Sequence, residues 1–380
     1  MIAPQKSAHL VLGGGLAGSM LALRLAEAGS GVTLLERERT PHHKVCGEFL
    51  SPEAVHYLHR AAIDPIALGA QPIRFLRLAA GRRVIQTALP FTALSLSRCV
   101  LDEALLTRAA QSGCTVLRSA FVQSLQQENS LWTAQLRDGA SHSAHTLFLA
   151  TGKHDLRGLE RHPGPHSDPQ NEMIGFKLQW RLAPAQTEAL RNYMDLYLFK
   201  GGYGGLSLVE GDAATLCLVV RRGVLHKIGD WPKLLASIQQ QTPHLALRLS
   251  GASPLWERPL AVSAIPYGYL GGRPNLPNLW RLGDQAASIP SFTGDGMSIA
   301  LHSASLAAEM HLAGQSSNEY HQTLRTHLHR GMTLATTLSR LMVTTLGRTL
   351  APIALTFYPG AMQSIAGHTR IPDYALIHSS

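Results

Sequence analysis

The sequence predicts an α/β protein with a Rossmann-like nucleotide-binding domain, an inserted, mostly antiparallel β-sheet domain and a C-terminal helical segment. Three observations carry that prediction. The chain opens on an apolar strand, a glycine-rich turn and a helix of small residues, AHLVLGGGLAGSMLALRLAEAG. From about Met173 to Arg221 it alternates apolar and polar residues in short runs, GFKLQWRL, MDLYLFKGGYGGLSLVEG and ATLCLVVRR, the period of strands. From Glu319 to His368 apolar residues return at helical spacing, interrupted by Arg340, Arg348 and Pro352. With 380 residues, 45% hydrophobic and 16% charged, the chain can bury a large core, and disorder is not expected.

The first strand ends at Leu12, and Gly13, Gly15 and Gly18 follow as GxGxxG. Gly13 permits the turn, Gly15 lets the backbone approach a pyrophosphate, and Gly18 lets helix pack on strand. Leu16 and Ala17 open the helix, whose N-terminal amides face the phosphates. Val32 to Leu35 form a second buried strand, and Glu36, 23 residues after Gly13, stands with Arg37 where an acidic side chain accepts bonds from ribose hydroxyls. To this point the pattern fits FAD and NAD(P) equally.

One later segment separates the two, and three others accompany it. In WRLGDQAASIPSFTGDGMSIALHSASLAAEM a strand runs into Gly283-Asp284, a loop containing Gly294 follows, and a helix starts near Gly296 and Met297. LSRCVLDEALLTRAAQSGCTVL is a helix beginning at Arg98 that feeds a strand, and LFLATGKHDLRG is a strand and loop with Thr151-Gly152. HKVCGEFLSP places Lys44, Cys46, Gly47 and Glu48 on the loop after the second strand. In their order along the chain these segments resemble the FAD-dependent oxidoreductase superfamily of p-hydroxybenzoate-hydroxylase-like monooxygenases and geranylgeranyl reductases.

The resemblance implies an FAD-binding domain of the glutathione-reductase type. Asp284 would bind the ribityl chain, the backbone at Gly294, Gly296 and Met297 would approach the pyrimidine edge of the flavin, and Arg98 and Gly152 would contact the cofactor. The resemblance divides the chain into an FAD-binding domain (1–72, 98–165 and 275–318), a substrate-binding sheet domain (73–97 and 166–274) and a C-terminal helical region (319–380). Many hydroxylases of the group carry Asp-Gly where this chain has Thr151-Gly152, so the electron donor is either NAD(P)H or a separate reductase.

Lys44, Cys46 and Gly47 resemble the Cys-Gly motif of the geranylgeranyl reductases, in which the cysteine lies near flavin and substrate; many members have a further glycine where this chain has Glu48. A thiol flanked by Lys44 has a route to a lowered pKa, and a buried Glu48 would serve as an acid or base. The piece KGGYGGLSL matches the superfamily's Gly-Tyr-x-Trp-x-Phe-Pro segment at Gly202, Tyr203 and Gly204, but the Trp position is Gly205 and Phe-Pro is absent. Tyr203 then points at substrate or pairs across strands. Cys46, Glu48 and Tyr203 are the candidate catalytic residues.

Composition narrows the partners. The formal net charge is +9, but Lys and Arg are dispersed without interleaved aromatics, which argues against nucleic acid and suits an anionic substrate, an acidic carrier or a membrane surface. Four scattered cysteines form no CxxC pair, and the 19 histidines form no HExxH motif, so no metal is assigned. With neither a signal peptide nor a spanning helix in the sequence, a cytoplasmic protein is expected. The C-terminal helices either pack on the core, cover a lipophilic tunnel or touch a membrane peripherally; the oligomeric state is not set by the sequence.

The expected activity is hydroxylation, by an FAD-dependent monooxygenase of secondary metabolism, of an aromatic, polyketide-like or lipophilic small molecule, free or carrier-bound. The alternatives are a geranylgeranyl-reductase-like reduction of a C=C bond and a non-catalytic flavin- or lipid-binding protein.

Overall fold

The computed structural model describes residues 5–161, 173–272, 276–344, 347 and 360–378. A five-stranded parallel sheet forms the nucleotide half, in the order Leu279–Arg281, Thr146–Leu149, His9–Leu12, Val32–Leu35, Thr115–Leu117. Its three central strands are short, almost continuously apolar and buried, as expected of a parallel sheet covered on both faces. On one face pack the helices Leu16–Glu27, Arg98–Gln111 and Gly296–Leu312, which bury Met20, Leu21, Leu101, Leu105 and Ala304 completely. The other face is covered by a four-stranded sheet (Gln5–Lys6, Ser141–Ala144, Leu131–Leu136, Val122–Glu128) that sets Trp132, Ala134 and Leu136 against Leu10, Leu12, Leu147 and Leu149. The sequence patterns had not singled out this second layer.

The substrate half is a nine-stranded sheet. Its main path runs Ser253–Pro254, Met173–Arg181, Ala214–Arg221, Gly202–Leu208, Asn192–Phe199, Gln71–Ala80, Arg83–Ser95, Phe49–Leu50, and Leu260–Val262 adds to Met173–Arg181. Every pairing is antiparallel except that of Asn192–Phe199 with Gln71–Ala80. Phe49–Leu50 continues directly from the Lys44–Glu48 loop, so that loop joins the two halves.

The helix Ser317–Met342 starts at a capping box between Ser316 and Glu319 and buries Tyr320, Leu324, Leu328, Met332 and Ala335 in the core of the parallel-sheet half. A second helix, Gly360–His368, packs against strand Arg83–Ser95. Arg348 and Pro352 lie outside the described residues. So do the expected domain junctions at 165/166 and 274/275 in whole or in part. Among the described residues no helix is long and apolar enough to cross a membrane.

Candidate active site

One cavity of about 820 Å³ runs from the glycine-rich turn to the underside of the nine-stranded sheet. Of the predicted site residues, Gly13, Gly15, Leu16, Ala17, Glu36, Arg37, Lys44, Cys46, Gly47, Glu48, Arg98, Gly152, Tyr203, Gly283, Asp284, Gly294, Gly296 and Met297 all line it. Gly18 does not. Its part is steric: a Cβ there would lie 1.8 Å from the Gly13 carbonyl oxygen, so helix and turn meet at a distance only glycine allows.

The phosphate-facing end combines amides and cations. A Cβ on Gly15 would point into a space bounded by Arg98 Nη2 and Lys44 Nζ, each 3.3 Å away, which leaves a cradle at the start of helix Leu16–Glu27. Asp102, not singled out from sequence, organises the two cations: Arg98 donates to it at 2.6 and 2.9 Å and Lys44 at 2.8 Å. Burial opposes ionisation of Asp102, but Arg98 and then Lys44 hold its carboxyl below the ordinary value. The trio keeps a net positive charge beside helix amides, an arrangement suited to a pyrophosphate. The i, i+4 spacing of Arg98 and Asp102 was the available signal.

Glu36 is buried and accepts bonds from the backbone amides of Gly14 (2.6 Å) and Glu38 (2.8 Å). These bonds fix its carboxylate in the wall while leaving acceptor capacity for a ribose. Asp284 stands in the short turn Gly283–Gln285 after strand Leu279–Arg281. Arg161 donates to its main-chain carbonyl at 2.9 Å, whereas its carboxylate faces the cavity without a hydrogen-bond donor among the described residues. The Gly152 carbonyl accepts from Gln285 at 2.8 Å, and Thr151 Oγ1 donates to the His154 carbonyl at 2.7 Å.

The loop that follows is arranged differently from expectation. Cys46 is a half-buried free thiol in the cavity wall, but its cationic neighbour is the Arg98 guanidinium, because Lys44 turns away to Asp102. Glu48 is fully buried, paired with Lys177 Nζ and bonded by Arg98 N and Thr215 Oγ1, both at 2.8 Å.

Tyr203 is buried in the sheet facing the cavity, 3.2 Å from Ser291 Oγ and edge-on to Phe292. Tyr267, also missed from sequence, lies against the same serine. Burial raises both phenols, and it pushes the Cys217 thiol in the same wall up to about 12. All three therefore stay protonated and neutral. Apart from Thr369 and Arg370, the rest of what the sheet and the C-terminal segment contribute here is apolar: Leu78, Met194, Leu196 and Leu198 come from the sheet, and Met342, Met362 and Ile365 from the C-terminal helices, which thus both pack on the core and wall the cavity. All four cysteines are free, and no group of three or more His, Cys, Asp or Glu suited to a metal occurs among the described residues.

Residues 6–148 match a family model described as an FAD binding domain. The chain is an FAD-dependent oxidoreductase, similar to the superfamily its motifs resemble. The flavoprotein is 26% identical over 341 residues to a probable electron transfer flavoprotein-quinone oxidoreductase, YdiS, of Escherichia coli, covering 82% of this chain and 77% of that one. It is 24% identical over 358 residues to the menaquinone reductase of Mycolicibacterium smegmatis, covering 88% and 84%. Among solved structures, the myxobacterial chondrochloren halogenase CndH superposes with a TM-score of 0.76 at 20% identity, over 96% of this chain and 91% of that one. The cavity fits FAD. The Gly15 cradle with Arg98 and Lys44 would take the pyrophosphate, Glu36 the adenosine ribose, and the unpartnered Asp284 carboxylate the ribityl hydroxyls. Once bound, the flavin supplies one- and two-electron exchange.

Proposed function

We propose that this flavoprotein reduces an uncharged, lipophilic substrate of the quinone class. The observation that carries the reading is the neutrality of the substrate end. Apart from Arg370, the polar side chains that the sheet and the C-terminal helices contribute there are phenol, thiol and hydroxyl groups. Burial keeps Tyr203, Tyr267 and Cys217 protonated. Such a wall accepts an uncharged ring and tail without stranding a charge. Leu341, at the rim, is 46% exposed, which gives an apolar molecule an apolar entrance. Two relatives matched over most of their length carry quinone or menaquinone in their names. The monooxygenase expectation rests on superfamily analogy and is the other outcome of the test below.

The FAD-loaded protein is titrated anaerobically with just enough dithionite to bleach it, then mixed without oxygen with menadione or with naphthoquinones bearing prenyl tails of increasing length. Reoxidation that saturates with quinone and is faster for the longer tails supports the proposal. Reoxidation confined to oxygen, with a product one oxygen atom heavier by mass spectrometry, replaces it with hydroxylation.

A further inference from the structure

The structure assigns Glu48 and Lys177 a joint role as positioning residues: their buried ion pair locks the Cys46-Gly47 corner and the cofactor-facing Arg98 onto the substrate sheet. Three parts of the fold meet at this one carboxylate. The helix Arg98–Gln111 reaches it through the Arg98 amide at 2.8 Å, strand Ala214–Arg221 through Thr215 Oγ1 at 2.8 Å, and strand Met173–Arg181 through Lys177 Nζ. Both ions are fully buried. The loop is seated on the same strand. A Cβ on Gly175, two residues before Lys177 and on the same face, would lie 3.1 Å from Val45 Cγ1, and Lys153 donates to the Val45 carbonyl at 3.0 Å.

The backbone agrees. Glu48 has φ of 59°, in the left-handed region that favours glycine, and its amide donates to Cys46 Sγ at 3.4 Å while its carbonyl accepts from Leu96 at 3.2 Å. A non-glycine residue persists there only where its surroundings over-determine it, and the bonds to Lys177, Thr215 and Arg98 are such surroundings. Arg98 is held at its amide by Glu48 and at its guanidinium by Asp102, with Cys46 alongside, so the pair reaches the cofactor cradle through one residue. With both carboxylate oxygens engaged by donors, Glu48 serves geometry and not proton transfer. This role does not depend on which substrate the cavity takes.

The test uses the full chain with FAD and compares Glu48→Gln, Lys177→Met and the double variant. Removing one partner strands a buried charge, whereas replacing both leaves none. The single variants are expected to bind FAD at least tenfold more weakly. At saturating FAD, they should alkylate Cys46 with iodoacetamide at least tenfold faster, followed by peptide mass spectrometry, and should shift the visible spectrum of the bound flavin. The double variant lacks the stranded charge but also the pair, so it is expected to fold while keeping the weakened FAD binding and faster Cys46 alkylation. If the singles do not fold, the double alone decides. A folded double variant with wild-type FAD affinity and Cys46 protection overturns the assignment. So do variants with wild-type FAD affinity and alkylation rate but no turnover, which would make Glu48 an acid or base.

Discussion

The two ends of the cavity are built from different materials. At the nucleotide end the wall is backbone and charge: amides at the turn Gly13–Gly15, carboxylates of Glu36 and Asp284, and the Lys44, Arg98 and Asp102 trio. At the substrate end it is side-chain bulk from one face of a sheet and two C-terminal helices. The first recognises phosphates and hydroxyls, whose bonds demand positions fixed to fractions of an ångström. The second excludes water and sets a volume, which a flexible leucine or methionine can adjust. The nucleotide end should therefore fail sharply when altered and the substrate end gradually.

The largest expected contrast is between two glycines. In Gly18→Ala the new Cβ would meet the Gly13 carbonyl oxygen at 1.8 Å, backbone against backbone. Loss of FAD affinity by more than about a hundredfold, or loss of soluble protein, is expected. In Gly205→Ala the nearest atom is the movable Met194 Sδ at 3.3 Å, and FAD affinity by fluorescence titration should change less than about twofold. Comparable damage from both would dissolve the distinction between the ends. A smaller contrast separates two aspartates. Asp284→Ala removes a cavity-facing carboxylate and should weaken FAD retention by about ten- to a hundredfold without lowering the melting temperature of the FAD-free protein. Asp295→Ala takes a partner from buried Arg370, 3.2 Å away, and should lower that melting temperature while leaving FAD affinity closer to wild type. Equal losses of FAD from both variants would remove the basis for placing Asp284 on the ribityl chain.

The same division explains what the sequence made legible. GxGxxG, the acid after the second strand and Gly283-Asp284 are local: each turn needs its residues within a short window, and the expected helices at Leu16, Arg98 and Gly296 begin there in the structure. The strands of the middle region also announced themselves by their period, and Tyr203 does face the cavity. Long-range pairing was out of reach. Nothing near Glu48 in sequence indicates Lys177, 129 residues on, and the C-terminal helices that close the cavity present the same apolar spacing as any core helix. The strands between Val122 and Ala144 carry the required alternation, but their role as the second cover of the parallel sheet follows only from its topology.

The smallest effect concerns a buried residue at the start of the helix Gly296–Leu312. Asp295 precedes the helix that would face the flavin; it is buried, with Oδ1 3.2 Å from Arg370 and Oδ2 without a hydrogen-bond partner. Burial lifts its carboxyl to about 7 although Arg370 pulls the other way, and Glu53, the other acid paired with Arg370, adds to the rise. An aspartate in the unfolded chain titrates near about 3.9, so between roughly pH 4 and 7 the folded state binds more protons than the unfolded one. Stability contributed by this site then falls as pH rises through that window and levels off above it. Asparagine cannot ionise. Relative to the parent, Asp295→Asn should therefore gain on the order of 1 kcal/mol between pH 6 and 7.5, and nothing further above pH 8. Urea unfolding of both proteins across that range measures the difference, in which every other titrating group cancels. A gap between the two proteins that stays constant with pH would mean that Asp295 is already ionised at pH 6 and held so by Arg370.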